Sequence, residues 1–326
     1  MAWIGKICVA FYSFISGYAF ASISMENEES ELRARFRKCV GISIRQAIKL
    51  YSIYWIVFIV SVPVGILVKN WSSNPADIIK SLFFGDIIYC GEWWYISQYL
   101  KYLAVYPFLD VALFYVPHQE NSKQKKAAIV RIGMLAFLTA LLVFLIRLFA
   151  WQSLAGTCVK YIANTFYLYR DYTYTFIIAF LIRGLGVFEQ LNQRFFHTPV
   201  TCVLCILIPF LFRWFYVSAE WQVECDPYIT PVIVFGIVGL MRDAREGRVY
   251  RGLTILGKYS TWMWLTHTFW IYYFFQDIVL IPRISTLVYF WSVILSLCTA
   301  LVLSCIYARL GKRFEMLHIS IGHPNV

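Results

Sequence analysis

Apolar stretches long enough to cross a membrane recur from one end of this chain to the other. That recurrence restricts the possible folds more than any other feature. A helix needs about 20 apolar residues to cross the hydrocarbon core of a bilayer. The candidate spans are Trp3–Ser24, Leu50–Val68, Trp93–Val116, Ile132–Ala150, Tyr172–Phe188, Pro199–Val217, Tyr228–Met241, Tyr259–Leu280 and Leu287–Tyr307. The seventh is the shortest. The sequence is 60% hydrophobic and 14% charged with mean hydropathy +0.64, far from the composition of a water-soluble domain. The reading is an all-α, polytopic transmembrane bundle of about nine spans with short loops. It forms a single membrane-embedded domain over residues 1–326. No cleavable signal peptide is expected, because the first span lacks a basic leader and a small-residue cleavage site.

Basic residues set the orientation. Arg33–Lys49, Lys123–Arg131, Arg242–Lys258 and Arg309–Arg313 gather lysine and arginine on alternate loops. The intervening loops hold Lys69, Lys80, Lys160, Arg170 and Arg283. This bias expects the C-terminus in the cytoplasm and the short seventh span to cross. The net charge of +11 then reflects topology and anionic headgroups, and nucleic acid is not an expected partner. Residues 26–38 run from acidic to basic, as in an amphipathic helix on the cytoplasmic face. Cys202 and Cys205 share a helix face without a neighbouring ligand set, so no metal is expected. Trp71, Trp93, Trp94, Trp151 and Trp221 fit an interfacial aromatic belt, with stacking on sugar rings as the alternative.

Ionisable groups at membrane depth are costly and mark candidate sites. His267 lies among aromatics roughly 13 Å beyond Lys258 at 1.5 Å per residue. It can move a proton near neutral pH or bridge helices to a serine or tyrosine. Glu92, followed by Trp93, Trp94 and Tyr95, stands where an outer loop meets the third span. There it could accept hydrogen bonds from a sugar or act as an N-terminal charge. Arg45 and Lys49, one helical turn apart, could clamp phosphates or anchor the helix, and Arg251 belongs to the same basic face. Arg147, Arg183 and Arg213 read as snorkelling side chains near helix ends, and Lys101 and Asp110 carry no assigned role.

Four patches together resemble the integral-membrane acyltransferase family three, most closely its branch that O-acetylates cell-surface polysaccharides in Gram-positive bacteria. They are Phe14-Ile-Ser16-Gly17-Tyr18, Lys49-Leu-Tyr-Ser-Ile-Tyr-Trp55, Trp93-Trp-Tyr-Ile with Tyr102 and Pro107, and Gly257-Lys-Tyr-Ser260 running to Leu265-Thr-His267. Ser16, Gly17 and Ser260 are the small residues of these motifs, expected to serve helix packing. The resemblance implies a ten-helix bundle that passes an acyl group, usually acetyl, from coenzyme A to a hydroxyl of a glycan or lipid-linked sugar. Acetyl-CoA is then a substrate rather than a bound cofactor, and the expected location is a bacterial cell membrane. In the family the general base is a histidine ending the first helix. This sequence begins inside the second family helix, so the expectation is truncation relative to the family, with His267 in a supporting role. The family's paired arginines fall at Gln46 and Lys49, with Arg45 beside them. The implied assignment gives donor binding to Arg45, Lys49 and Arg251, and the acceptor side to Glu92, Trp93, Trp94 and Tyr95. A flippase for lipid-linked sugars and a catalytically inactive relative are the alternatives.

Overall fold

The structure is a computed structural model that describes residues 7–29, 31–84, 88–115, 170–195, 198–218, 226–242 and 247–321. The expected span Ile132–Ala150 lies outside the described residues, as do Trp151 and Trp221. The described helices are α1 (Ile7–Met25), α2 (Leu32–Lys69), α3 (Pro75–Phe84), α4 (Trp94–Phe114), α5 (Arg170–Gly184), α6 (Val187–Phe195), α7 (Pro199–Ser218), α8 (Asp226–Met241), α9 (Arg248–Thr268), α10 (Gln276–Leu280) and α11 (Ser285–Ile321). No strand occurs among the described residues. The stretches Ile7–Met25, Leu32–Lys69 and Ser285–Arg309 are long and apolar enough to cross a bilayer; shorter apolar helices occupy Tyr172–Gly184, Pro199–Phe215 and Tyr228–Met241. The protein is an all-α membrane protein.

Several boundaries differ from the sequence reading. The expected amphipathic helix of residues 26–38 and the second span are joined in one continuous helix, α2, of 38 residues. The fifth span ends at Gly184, and a turn separates it from amphipathic α6. The eighth begins as a helix at Arg248 and breaks into a π-helical turn over Phe269–Tyr273 before α10. Interior prolines (Pro63, Pro107, Pro209, Pro231) sit within α2, α4, α7 and α8, as membrane helices tolerate.

The chain folds into two compact units, one of residues 1–44 with 98–244, the other of residues 45–97 with 245–326. In the first unit α1 packs along α5, α8 contacts both, and α7 lies on α8. Gly17 sets the closest approach: a Cβ there would stand 2.1 Å from the Phe176 carbonyl oxygen and 3.1 Å from the Ala179 Cβ. Beside it Phe14 and Phe188 stack with centroids 6.0 Å apart. Small residues let membrane helices meet backbone to backbone, where dispersion rather than the hydrophobic effect holds them. Ser16 returns its hydroxyl to the Tyr12 carbonyl of its own helix.

One face of α4 carries Gln98, Tyr102, Tyr106 and Asp110 at four-residue intervals, all fully buried. Each finds a polar partner. Gln98 Nε2 donates to Thr173 Oγ1 at 2.8 Å, Tyr102 and Ser13 hydroxyls share a bond of 2.6 Å, and Ser24 donates to the Tyr106 hydroxyl at 3.4 Å. Asp110 receives a forked pair from Arg35, Nε to Oδ2 at 2.6 Å and Nη2 to Oδ1 at 2.9 Å. Arg35 spends its remaining donors on the carbonyls of Asn27 (2.8 Å) and Ser24 (2.9 Å), fastening the connection between α1 and α2. Arg213 does not snorkel: it is buried and forked onto Asp226 at 2.7 and 2.9 Å. Arg183 stays near the surface, bonded to Ser22 and paired with Glu189.

The second unit is built around Tyr54, Phe58, Trp93, Leu265 and Phe269, with α9 packed on α11. Its distinctive element is α3. Asn70 adopts the left-handed conformation (φ 52°) that ends α2, and Trp71 folds onto Gly65, where a Cβ would meet the indole at 2.1 Å. Asn74 then caps α3 by accepting from the Ala76 amide at 3.0 Å, ahead of Pro75 at the first helical position. The new helix runs back along α2, so that its last residues lie beside Tyr51, Tyr54 and Trp55.

Two outcomes follow. Gly17→Ala overpacks the α1–α5 contact and lowers stability by roughly 1–3 kcal/mol, read as earlier unfolding in mixed micelles. Asp110→Ala strands the buried Arg35 charge and costs about 3–5 kcal/mol, much of which the apolar pair Arg35→Met with Asp110→Leu restores.

Candidate functional site

The motif Tyr51-Ser-Ile-Tyr54-Trp55 has a structural duty. A helix leaves its last four carbonyls without intrahelical partners, and in hydrocarbon no water completes them. At the end of α3, Tyr54 Oη donates to the Ser81 carbonyl (2.7 Å), Trp55 Nε1 to Leu82 (3.0 Å) and Tyr51 Oη to Phe83 (3.1 Å). Three donors from one turn of α2 thus close the end of a helix that would otherwise be too polar to sit there.

After α3 the chain doubles back: the Tyr89 hydroxyl donates to the Ser72 carbonyl at 2.8 Å and its ring meets Trp71 at 5.5 Å, beside the start of α3. Gly91–Trp93 forms a 3₁₀ turn leading into α4. Trp93 is fully buried, edge-on to Tyr54 (5.0 Å, 90°) and to Phe269 (6.0 Å, 87°), and its Nε1 donates to the Leu265 carbonyl at 3.3 Å. Both indole faces are covered, so Trp93 belongs to neither an interfacial belt nor an open sugar platform. Along α2, Tyr54 stands about 8 Å from Lys49 and about 22 Å from Lys69, at 1.5 Å per residue. The sequence reading treats the segment between the second and third spans as an ordinary loop and so misses α3. The Asn74-Pro75 cap and the apolar Ile78, Leu82 and Phe83 were the signals for a returning helix.

The same turn is tied to α9 and its π-helical extension. The Gly91 amide donates to the Tyr273 hydroxyl at 3.2 Å, and the Cys90 sulfur lies 3.4 Å from Thr268 Oγ1. Cys90 is fully buried there. Tyr95 is buried edge-on to Trp264 (5.5 Å, 80°), and Trp94 is half-buried beside it. Glu92 is exposed.

His267 occupies the last turn of α9 and is half-buried. Its Nδ1 lies 2.7 Å from the Trp264 carbonyl oxygen, which can only accept, so Nδ1 carries a proton. In the neutral ring Nε2 is then the atom with a lone pair to offer. The expected bridge to a serine or tyrosine on another helix is replaced by this bond within α9. The Glu92 carboxylate lies within electrostatic range of the imidazole. The π-helical turn begins two residues later, an irregularity that frequently accompanies functional sites.

Arg45 and Lys49 are exposed on α2 on the side away from α3, and no carboxylate pairs with either among the described residues. Arg251 is exposed in the first turn of α9, and Lys258 leans over the Tyr259 ring at 5.5 Å. Ser260 bonds to the Gly257 carbonyl of its own helix at 2.8 Å. The second unit therefore contains Arg45, Lys49, Glu92, Trp93, Trp94, Tyr95, Arg251, Ser260 and His267, while Ser16 and Gly17 lie in the first. Among the described residues no group of three or more His, Cys, Asp or Glu side chains converges as a metal site. Tyr51, Tyr54 and Tyr273 are the participants that sequence reasoning gave no individual role.

Tyr54→Phe leaves the Ser81 carbonyl buried without its donor and costs about 1–3 kcal/mol. The measurable sign is faster proteolysis or labelling within residues 70–90, with the first unit unaffected.

The model of the acyltransferase domain family matches residues 3–309 of the chain. Curated proteins and solved structures gave no match. With nearly the whole sequence covered and an all-α membrane architecture beneath it, the protein belongs to the integral-membrane acyltransferase family three.

Proposed function

We propose that this membrane acyltransferase moves an acetyl group from acetyl-CoA to a hydroxyl of a cell-surface polysaccharide or its lipid-linked precursor, in a bacterial cell membrane with the C-terminus in the cytoplasm. The observation that carries the reading is the His267 imidazole. It is fixed through Nδ1, keeps an Nε2 lone pair, stands at membrane depth and has the Glu92 carboxylate in electrostatic range. A carboxylate favours the imidazolium that forms when a base takes a proton.

This reading goes beyond the supporting role that the family resemblance implies for His267: its Nε2 takes the proton of the acceptor hydroxyl as the oxygen adds to the thioester carbonyl. The carbon–sulfur bond then breaks, and the imidazolium returns the proton to the departing coenzyme A thiolate. No proton is gained or lost overall. Arg45, Lys49 and Arg251 supply positive charge for the phosphates of the donor. Glu92 and Trp94 meet the acceptor, while Trp93 and Tyr95 hold them in place from the core.

The test uses the protein in nanodiscs with acetyl-CoA and a capsular or lipid-linked glycan, reading thiol release and acetyl transfer. Acceptor-dependent release is expected. His267→Ala lowers kcat about 10²–10⁴-fold with little change in KM for acetyl-CoA. Arg45→Gln with Lys49→Gln raises that KM about 10-fold at similar kcat. Transfer unchanged by His267→Ala removes the assigned base. Absence of acceptor-dependent release, with glycan flux in vesicles lacking any acyl donor, replaces the reading with a transporter.

A further inference from the structure

A groove of about 420 Å³ runs between α2 and the returning α3 within the second unit. Trp55, Ile59 and Pro63 form one wall, Ile78, Leu82 and Phe83 the other, and Phe58 contributes to its floor. Every lining side chain is apolar, so the groove offers nothing to a water-soluble ligand. Ile59 on its rim is 66% exposed. Its α2 wall lies within a helix apolar enough to cross the membrane, which makes hydrocarbon the medium around it.

Three features select one occupant. The groove is closed at one end, where Trp55 Nε1 bonds to the Leu82 carbonyl and the Trp55 ring meets Phe83 edge-on at 6.2 Å. From Trp55 to Ile66 it extends roughly 16 Å along α2 at 1.5 Å per residue. That is about one leaflet of a hydrocarbon core roughly 30 Å thick, enough for an acyl chain and too short for a long polyprenyl tail. One turn beyond Ile66, on the same stripe of α2, stands the exposed Lys69. The neighbouring acid, Asp77, is engaged by the Ser72 hydroxyl at 2.6 Å.

We propose that this groove is a binding site for an anionic phospholipid, with one acyl chain lying between α2 and α3 and the phosphate at Lys69. The chain exchanges bilayer neighbours for aromatic and branched walls, so retention comes from dispersion contacts and the charge at the open end. The inference is independent of the acyl-transfer reading.

The experiment is photo-crosslinking of the full protein in nanodiscs with phosphatidylglycerol bearing a diazirine on one acyl chain, followed by peptide mapping. Label is expected at residues 55–66 and 78–83, about five-fold above a phosphatidylcholine probe, the preference expected of one lysine beside a headgroup of net negative charge over a zwitterionic one. Ile59→Trp, at an exposed position, fills the groove and cuts the label about 10-fold; Ile66→Trp serves if that variant is poorly folded. Lys69→Gln removes the headgroup preference and keeps the label. Label in these segments unaffected by either filling variant overturns the proposal. So does a label carried by a polyprenyl phosphate probe and absent with phosphatidylglycerol.

Discussion

Hydrocarbon supplies no hydrogen-bond partners, and the second unit is arranged around that constraint. A helix that ends inside a membrane must have its terminal carbonyls closed by the protein. Tyr51, Tyr54 and Trp55 do so for α3 with three donors from a single turn. Only because that end is closed can the chain turn there and bring Gly91–Trp93 against Leu265 and Phe269. The setting of Glu92 and His267 is thus a consequence of how a neighbouring helix is terminated. The same residues lie in the motif that the family resemblance associates with the donor. Part of that motif's chemistry is capping, which a phenol or indole performs and an aliphatic side chain does not.

The first unit obeys the constraint by pairing rather than capping. Gln98, Tyr102, Tyr106 and Asp110 recur every four residues, which in water would be an unremarkable helix stripe. In a membrane helix each must meet a partner, and each does, although of the Gln98 amide only Nε2 is satisfied and the buried Oε1 is not. The forked Arg35–Asp110 and Arg213–Asp226 pairs spread charge over two hydrogen bonds each, offsetting desolvation as a single contact would not. Replacing either partner alone leaves an unpaired charge, so these pairs fix which helices adjoin more than they add stability.

The sequence made the helices legible and left their partners obscure. Apolar length located Ile7–Met25, Leu32–Lys69 and Ser285–Arg309, whereas the expected third and eighth spans are helices that do not reach that apolar length. The Ser16-Gly17 pair signalled close packing, since glycine among large apolar residues has few other uses in a membrane helix. Arg213 was read as snorkelling because hydropathy reports depth and not contact: Asp226 lies thirteen residues on, beyond a helix end. Arg35 was read as a topology charge because its partner is seventy-five residues away. The returning helix is missing from the sequence reading because α3 is only 10 residues long, half of what a spanning helix requires. A short helix that goes in and comes back has no hydropathy signature of its own; its mark is the Asn-Pro cap and a far-off set of aromatic donors.

Depth along α2 has a consequence for an acyl transfer between water-soluble and membrane-bound partners. At 1.5 Å per residue, Tyr54, which meets the Trp93 indole, is about 8 Å from Lys49 and about 22 Å from Lys69 along α2, while Tyr89 just before that turn bonds to Ser72 beyond the Lys69 end. A donor held by phosphates at the Lys49 end needs to extend its thioester only a short way to reach the level of His267. The segment before the Trp93 turn also reaches back to the start of α3, where Tyr89 donates to the Ser72 carbonyl at 2.8 Å, so under the proposed reading the turn that carries Glu92 lies between the donor and an acceptor from the Lys69 side.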